Sequence, residues 1–237
     1  MRTVVEVNTR RNPAEGLALL GEDLWLASSN FHNGVGGYLA GLPGGSNWRA
    51  VRDELHELLP GREARLAAAG QGDVNPGTVE DALDLAVARR WSRSDLDAAV
   101  QWYSYELTSD GWIANPTGRT VQVLQTIPVS EWSFVSNWMT TRQTTDPQWD
   151  DQVVVQFLRS KNEVTPNADL GRLVALPARV DDRADIVAAF ATPLDRKGVP
   201  VLRHPADALV ALIEAAQLPA ADAEHWLRTV AEAHPGS

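Results

Sequence analysis

The chain has 237 residues, no cysteine, and 21 basic against 31 acidic side chains, a formal net charge of −10. That length can bury a sizeable core without metal or disulfide support, and the missing thiols exclude disulfides, thiolate zinc sites, iron–sulfur clusters and a cysteine nucleophile together. The acidic balance opposes non-specific attraction to phosphate backbones and anionic lipid, so a nucleic-acid role needs a local basic patch.

In chain order, the opening "RTVVEV" is β-branched and predicts a strand. Its apolar run is too short and too interrupted for a signal peptide or an anchor, and no later run reaches membrane-spanning length. Asn12 before Pro13 predicts a helix start, with Leu17, Leu20 and Leu24 at helical spacing. The segment 33–45, "NGVGGYLAGLPGG", holds six glycines and reads as a flexible connection. It fails the phosphate-loop pattern, because Leu39 stands where a third glycine is needed and no Lys-Ser or Lys-Thr follows.

Ser46 or Asn47 caps "WRAVRDELHELL", whose Trp48, Val51, Leu55 and Leu58 share a face. A short helix follows in "GREARLAAAG". Thr78 and Asp81 then begin "VEDALDLAVARR", and Ser94 begins "DLDAAVQWYSYEL". "WIANPTGRTVQVLQTI", residues 112–127, predicts two strands joined by a turn at Asn115-Pro116-Thr117-Gly118. After Pro128, helical periodicity returns in "VSEWSFVSNWMTTRQ" and gives way to a polar link reaching residue 150.

In the C-terminal third, strand-like runs at 152–158, 172–176 and 199–203 alternate with helices, the pattern of a small parallel sheet with crossover helices. The expected fold is therefore mixed α/β. A helix-rich part with an N-terminal strand and a β-hairpin spans 1–127, a junction helix and polar link span 128–150, and a βαβα unit with a final helix spans 151–237. One continuous domain fits the same pattern.

No residue pattern names a reaction, and no cofactor or metal is expected. The five histidines, His32, His56, His204, His225 and His234, are dispersed, and none pair at a spacing that holds a metal from one helix face. Three functional expectations remain. The first is a non-enzymatic binding or regulatory module engaging a protein partner in a bacterial cytoplasm. It rests on the missing catalytic signature and on tryptophan outnumbering phenylalanine and tyrosine, nine against four and three, since aromatic side chains anchor interfaces. Trp138 and Trp149 are its contact candidates.

The second is an enzyme acting on a small anionic substrate at the carboxyl ends of the C-terminal strands, where open parallel sheets bind ligands. Arg159, Lys161, Arg179 and Arg203 would bind the anion there, and His204 with Asp181 or Asp182 would move a proton. The third is a winged-helix-like DNA-binding protein, with Arg89, Arg90, Arg93 and Arg119 as phosphate contacts and the 112–127 hairpin as the wing. The acidic charge, and Asp95 and Asp97 at the start of the helix that would meet DNA, oppose it.

Overall fold

The computed structural model describes residues 2–21, 31–68, 76–107, 115–127, 132–145, 152–161, 180–191 and 204–233, and every regular element among them is helical. The chain divides into two compact units, Met1–Arg119 and Thr120–Ser237. The first begins with α1 (Arg2–Arg11), α2 (Pro13–Leu20), α3 (Phe31–Gly41), α4 (Trp48–His56) and α5 (Leu59–Ala68). It continues with α6 (Pro76–Trp91) and α7 (Leu96–Val100), and α7 runs into a π-helical segment, Gln101–Glu106. The chain passes between units within α8 (Pro116–Leu124), and the second unit adds α9 (Trp132–Thr145), α10 (Gln152–Lys161), α11 (Val180–Ala191), α12 (Ala206–Ala216) and α13 (Ala220–Ala233).

The mixed α/β expectation is therefore overturned. Residues 2–7 lie in α1, not in a strand. β-Branched residues disfavour a helix by well under about 1 kcal/mol each, and the tertiary setting outweighs that. Val5 and Thr9, one turn apart, are buried against neighbouring helices, and the Thr9 hydroxyl donates to the Val5 carbonyl at 2.8 Å. The supposed flexible connection is the partner that makes this burial available, because residues 31–41 form α3 and its glycines let α1 lie directly on it. A Cβ added at Gly41 would stand 2.6 Å from Thr9 Cβ and 2.7 Å from the Glu6 carbonyl oxygen, and one at Gly37 would overlap the Arg2 carbonyl. Gly16 does the same for α2, where a Cβ would collide with the Thr9 hydroxyl.

The 112–127 hairpin is also absent from the described part of its range, since residues 116–124 form α8. Asn115 is its cap: the side chain accepts from the Gly118 N–H at 3.0 Å, and the Asn115 carbonyl accepts from Arg119 N–H at 3.0 Å. Asn-Pro suits both a turn and a helix start, and here it starts a helix as Asn12-Pro13 does for α2, where Asn12 accepts from Ala14 N–H at 3.1 Å.

Of the three expected C-terminal strands, 152–158 is the greater part of α10, while 172–176 and 199–203 lie outside the described residues. Val153, Val154, Val155 and Phe157 are all buried, so α10 is covered on more than one side. A short run of that kind has the same hydrophobic pattern whether it is a buried strand or a buried helix. α10 packs on α11, α11 on α12, and α12 on α13. Ile186, Val187 and Phe190 of α11 and Leu209, Leu212, Ile213 and Ala216 of α12 supply buried side chains at helical spacing. In α13 only Val230 is buried, while Leu227 on the same helix is exposed.

Two backbone features yield tests by chemical denaturation. Gly37→Ala gains about 1 kcal/mol of helix propensity but drives a methyl into the Arg2 backbone, so a net loss of roughly 1–3 kcal/mol is expected. Gly45→Ala meets nothing within 4 Å and is expected to leave stability unchanged or slightly raised. Gln217 closes α12 in the left-handed region with φ 50°, so Gln217→Gly is expected to stabilise by roughly 1 kcal/mol. A destabilised Gln217→Gly variant would contradict that conformation.

Candidate functional site

The helix α9 carries the most distinctive surface. Its residues Val135 and Met139 are buried, one turn apart, and fix its inward face. Phe134, Trp138 and Arg142 are spaced four apart, so they line another side. Phe134 is 49 % exposed, Trp138 is half-buried, and the Arg142 guanidinium carbon lies 5.7 Å from the Trp138 ring centroid. An arginine over an indole face is held by the ring quadrupole and keeps the ring oriented.

The hydroxyls nearby are turned inward on the helix itself. Thr140 donates to the Ser136 carbonyl at 3.0 Å, Thr141 to Asn137 at 2.9 Å and Thr145 to Thr141 at 2.8 Å. The expected polar link therefore begins later than the composition implies, since α9 continues to Thr145. Trp149 lies outside the described residues, as does the side chain of Trp132.

The four arginines assigned to DNA do other work or stand apart. Arg90 donates through Nε to the Leu39 carbonyl at 2.9 Å and through Nη2 to Leu42 at 2.7 Å, and it lies 5.3 Å from the Trp48 ring centroid. It thereby satisfies carbonyls left open at the C-terminal end of α3. Arg119 donates to the Tyr103 and Leu107 carbonyls at 2.9 and 2.7 Å, lies 4.9 Å from the Tyr103 ring centroid, and approaches Asp81 at 3.6 Å. It caps the π-helical segment just as Arg90 caps α3. Arg89 is half-buried, and loss of solvation lowers its pKa from the usual arginine value. Arg93 is exposed. With α8 in place of the hairpin, no wing carries Arg119 outward.

The C-terminal candidates are not gathered at strand ends, because no strand occurs among the described residues. His204 is buried to 1 % exposure just before α12, its ring 5.4 Å from that of Phe190. Asp181 is exposed in the first turn of α11. Arg159 and Lys161 fall in the last turn of α10, and their side chains, like that of Asp182, lie outside those described. Arg179 and Arg203 lie outside the described residues altogether.

A polar cluster that the sequence did not announce joins α4 to α6. Asp84 accepts from Arg52 Nε at 3.0 Å, and its same oxygen pairs with His56 Nε2 at 2.9 Å. Burial works to raise the Asp84 pKa, but the hydrogen bonds and charges of His56 and Arg52 outweigh it and hold the carboxyl below the usual aspartate range. Nearby, the Tyr38 hydroxyl donates to Glu54 at 3.0 Å, and burial with the Glu54 charge keeps that phenol protonated well above its ordinary range. One signal was available: Asp84 sits on α6 within the run that buries Leu83, Val87 and Ala88, a place where an unpaired carboxylate is costly.

Among the described residues no three His, Asp or Glu side chains are grouped to hold a metal ion, and no helix is long and apolar enough to cross a membrane. No known protein family, curated protein sequence or solved structure matches the chain.

The depressed Asp84 pKa fixes the sign of a pH effect. Its stabilising contribution is present above the unfolded aspartate pKa and is lost as pH falls through the lower folded value. Asp84→Asn is expected to cost about 1–3 kcal/mol at pH 7. That difference from wild type, measured by urea denaturation, should shrink as the pH is taken below the ordinary carboxylate range. A difference that is constant with pH would show that the Asp84 charge contributes nothing.

Proposed function

We propose that the protein is a non-enzymatic, cytoplasmic binding module that engages a protein partner through the Phe134–Trp138–Arg142 row of α9. One observation carries this reading: α9 anchors itself with Val135 and Met139 while a large apolar ring, a stacked indole and a guanidinium stand on another side. Tryptophan and arginine are the residues most enriched among side chains that dominate protein–protein binding energy. An exposed phenylalanine in line with them supplies apolar area at no cost of burying unpaired polar groups. The acidic chain as a whole favours partners with a basic rim around an apolar centre.

The test is co-purification from native lysate, with wild type compared with Trp138→Ala and Phe134→Ala. Each substitution removes contact area without touching Val135 or Met139, so helical content by circular dichroism should be unchanged. Proteins recovered with wild type are expected to fall at least tenfold with either variant, a change of about 1.4 kcal/mol. Equal recovery with well-folded variants would remove α9 as the contact surface.

A further inference from the structure

Among the described residues, part-buried arginines find acceptors on the backbone. Arg90 and Arg119 each donate to two carbonyls. Arg62 on α5 is buried to 7 % exposure, yet its Nε has no acceptor, and among the described residues no carboxylate or carbonyl pairs with its guanidinium. A buried N–H donor without an acceptor costs about 1–3 kcal/mol, so an acceptor supplied from outside the chain would be stabilised there.

The surroundings of Arg62 answer it. Its guanidinium carbon lies 5.1 Å from the ring centroid of Phe31, which is itself fully buried. Phe31 is the first residue of α3, a helix of 11 residues. The leading N–H groups of a helix have no intrahelical acceptor, and the helix dipole places partial positive charge at that end. His32 follows in the same turn, its ring 6.0 Å from that of Phe31. His32 is exposed overall, and partial desolvation of its ring followed by the Arg62 charge lowers its pKa, which favours the neutral imidazole that can both donate and accept a hydrogen bond.

We infer that Arg62, the first turn of α3 and the His32 ring form a binding site for a phosphate-type oxyanion. A planar guanidinium fork suits a tetrahedral oxyanion with two parallel hydrogen bonds, and helix N-termini bind such anions through backbone N–H groups. The net charge of the chain repels anions at long range, so the site relies on short-range hydrogen bonds to Arg62 and the first turn of α3, strengthened where the guanidinium is buried. The same chemistry admits free phosphate or the phosphoryl end of a small metabolite.

The experiment titrates the full chain with inorganic phosphate, and separately with glycerol 3-phosphate, at ionic strength held constant with sodium chloride. Thermal unfolding and the NMR signals of the α3 amides and histidine rings are followed together. The expected result is a saturable rise in Tm and saturable shifts of the Phe31 and His32 signals. Arg62→Met should weaken both at least tenfold, and Arg62→Lys, which keeps charge but loses the fork, should weaken them less. Arg49→Met, at an exposed arginine paired with Glu106, should leave both unchanged. Stronger binding of glycerol 3-phosphate than of phosphate would identify a phosphomonoester as the ligand, and the reverse order would identify the free ion. Shifts that do not saturate with either probe, or that sodium chloride alone reproduces, would overturn the site. So would unchanged binding by Arg62→Met. Should Arg62→Met fail to fold, the wild-type amide shifts decide by themselves.

Discussion

The first unit depends on the closeness with which α1 and α2 lie against α3. Gly37 and Gly41, one turn apart, leave a groove without side chains along α3, and the backbone of Arg2 and Glu6 with the Val5 and Thr9 side chains of α1 occupies it. Gly16 completes the arrangement from α2, and Thr9 stands at the centre with its hydroxyl turned to its own helix. Dispersion attraction between the α3 backbone and the closely fitted backbone and small side chains of α1 replaces the larger side chains that usually fill a helix interface. The arrangement tolerates no added carbon at those points, so three glycines with little helix propensity of their own act as helix–helix contact positions.

That close packing leaves α3 with ends to be satisfied, and arginines do much of the work. Arg90 reaches from α6 to the carbonyls of Leu39 and Leu42 and stacks on Trp48 at the start of α4, tying the ends of two helices to a third. Arg119 does the same for the π-helical segment, where the wider i to i+5 pattern is seen in the Leu107 N–H donating to the Trp102 carbonyl at 3.0 Å. Trp102, Tyr103 and Ser104 of that segment are buried, and Trp102 meets Trp91 of α6 at 5.7 Å between ring centroids. Much of the tryptophan excess thus serves packing, while Trp138 stands at a helix surface.

Legibility followed the distance over which each signal acts. Asn12-Pro13 and Asn47 were readable as helix starts, because a cap satisfies its own helix within three residues. The face of α4 was readable from apolar spacing, which is again local, and Trp48, Val51 and Leu55 are buried. Arg62 was not singled out by sequence, since an arginine in an alanine-rich helix ordinarily points to solvent. Asp84 was passed over for the same reason, and only the approach of α4 brings Arg52 and His56 to it. The row on α9 was half legible: helical periodicity and Trp138 as a contact candidate were readable, but the stacking of Arg142 on Trp138 belongs to the folded helix.

By itself, the sequence determined the absence of thiol chemistry, the acidic charge, the capped helix starts and the inward stripes of the amphipathic helices. Tertiary structure alone decided that "RTVVEV", "GVGGYLAG" and "QVVVQFL" are helices. The physical reason is one of magnitude. Valine and glycine shift a residue's helical preference by about 1 kcal/mol or less, whereas burying a valine side chain is worth roughly 1.5–3 kcal/mol. Whether a partner stands close enough to provide that burial is a property of the folded chain, and no local pattern contains it. The same holds for Arg62, whose Nε is buried without an acceptor only because α5 brings the guanidinium over the Phe31 ring.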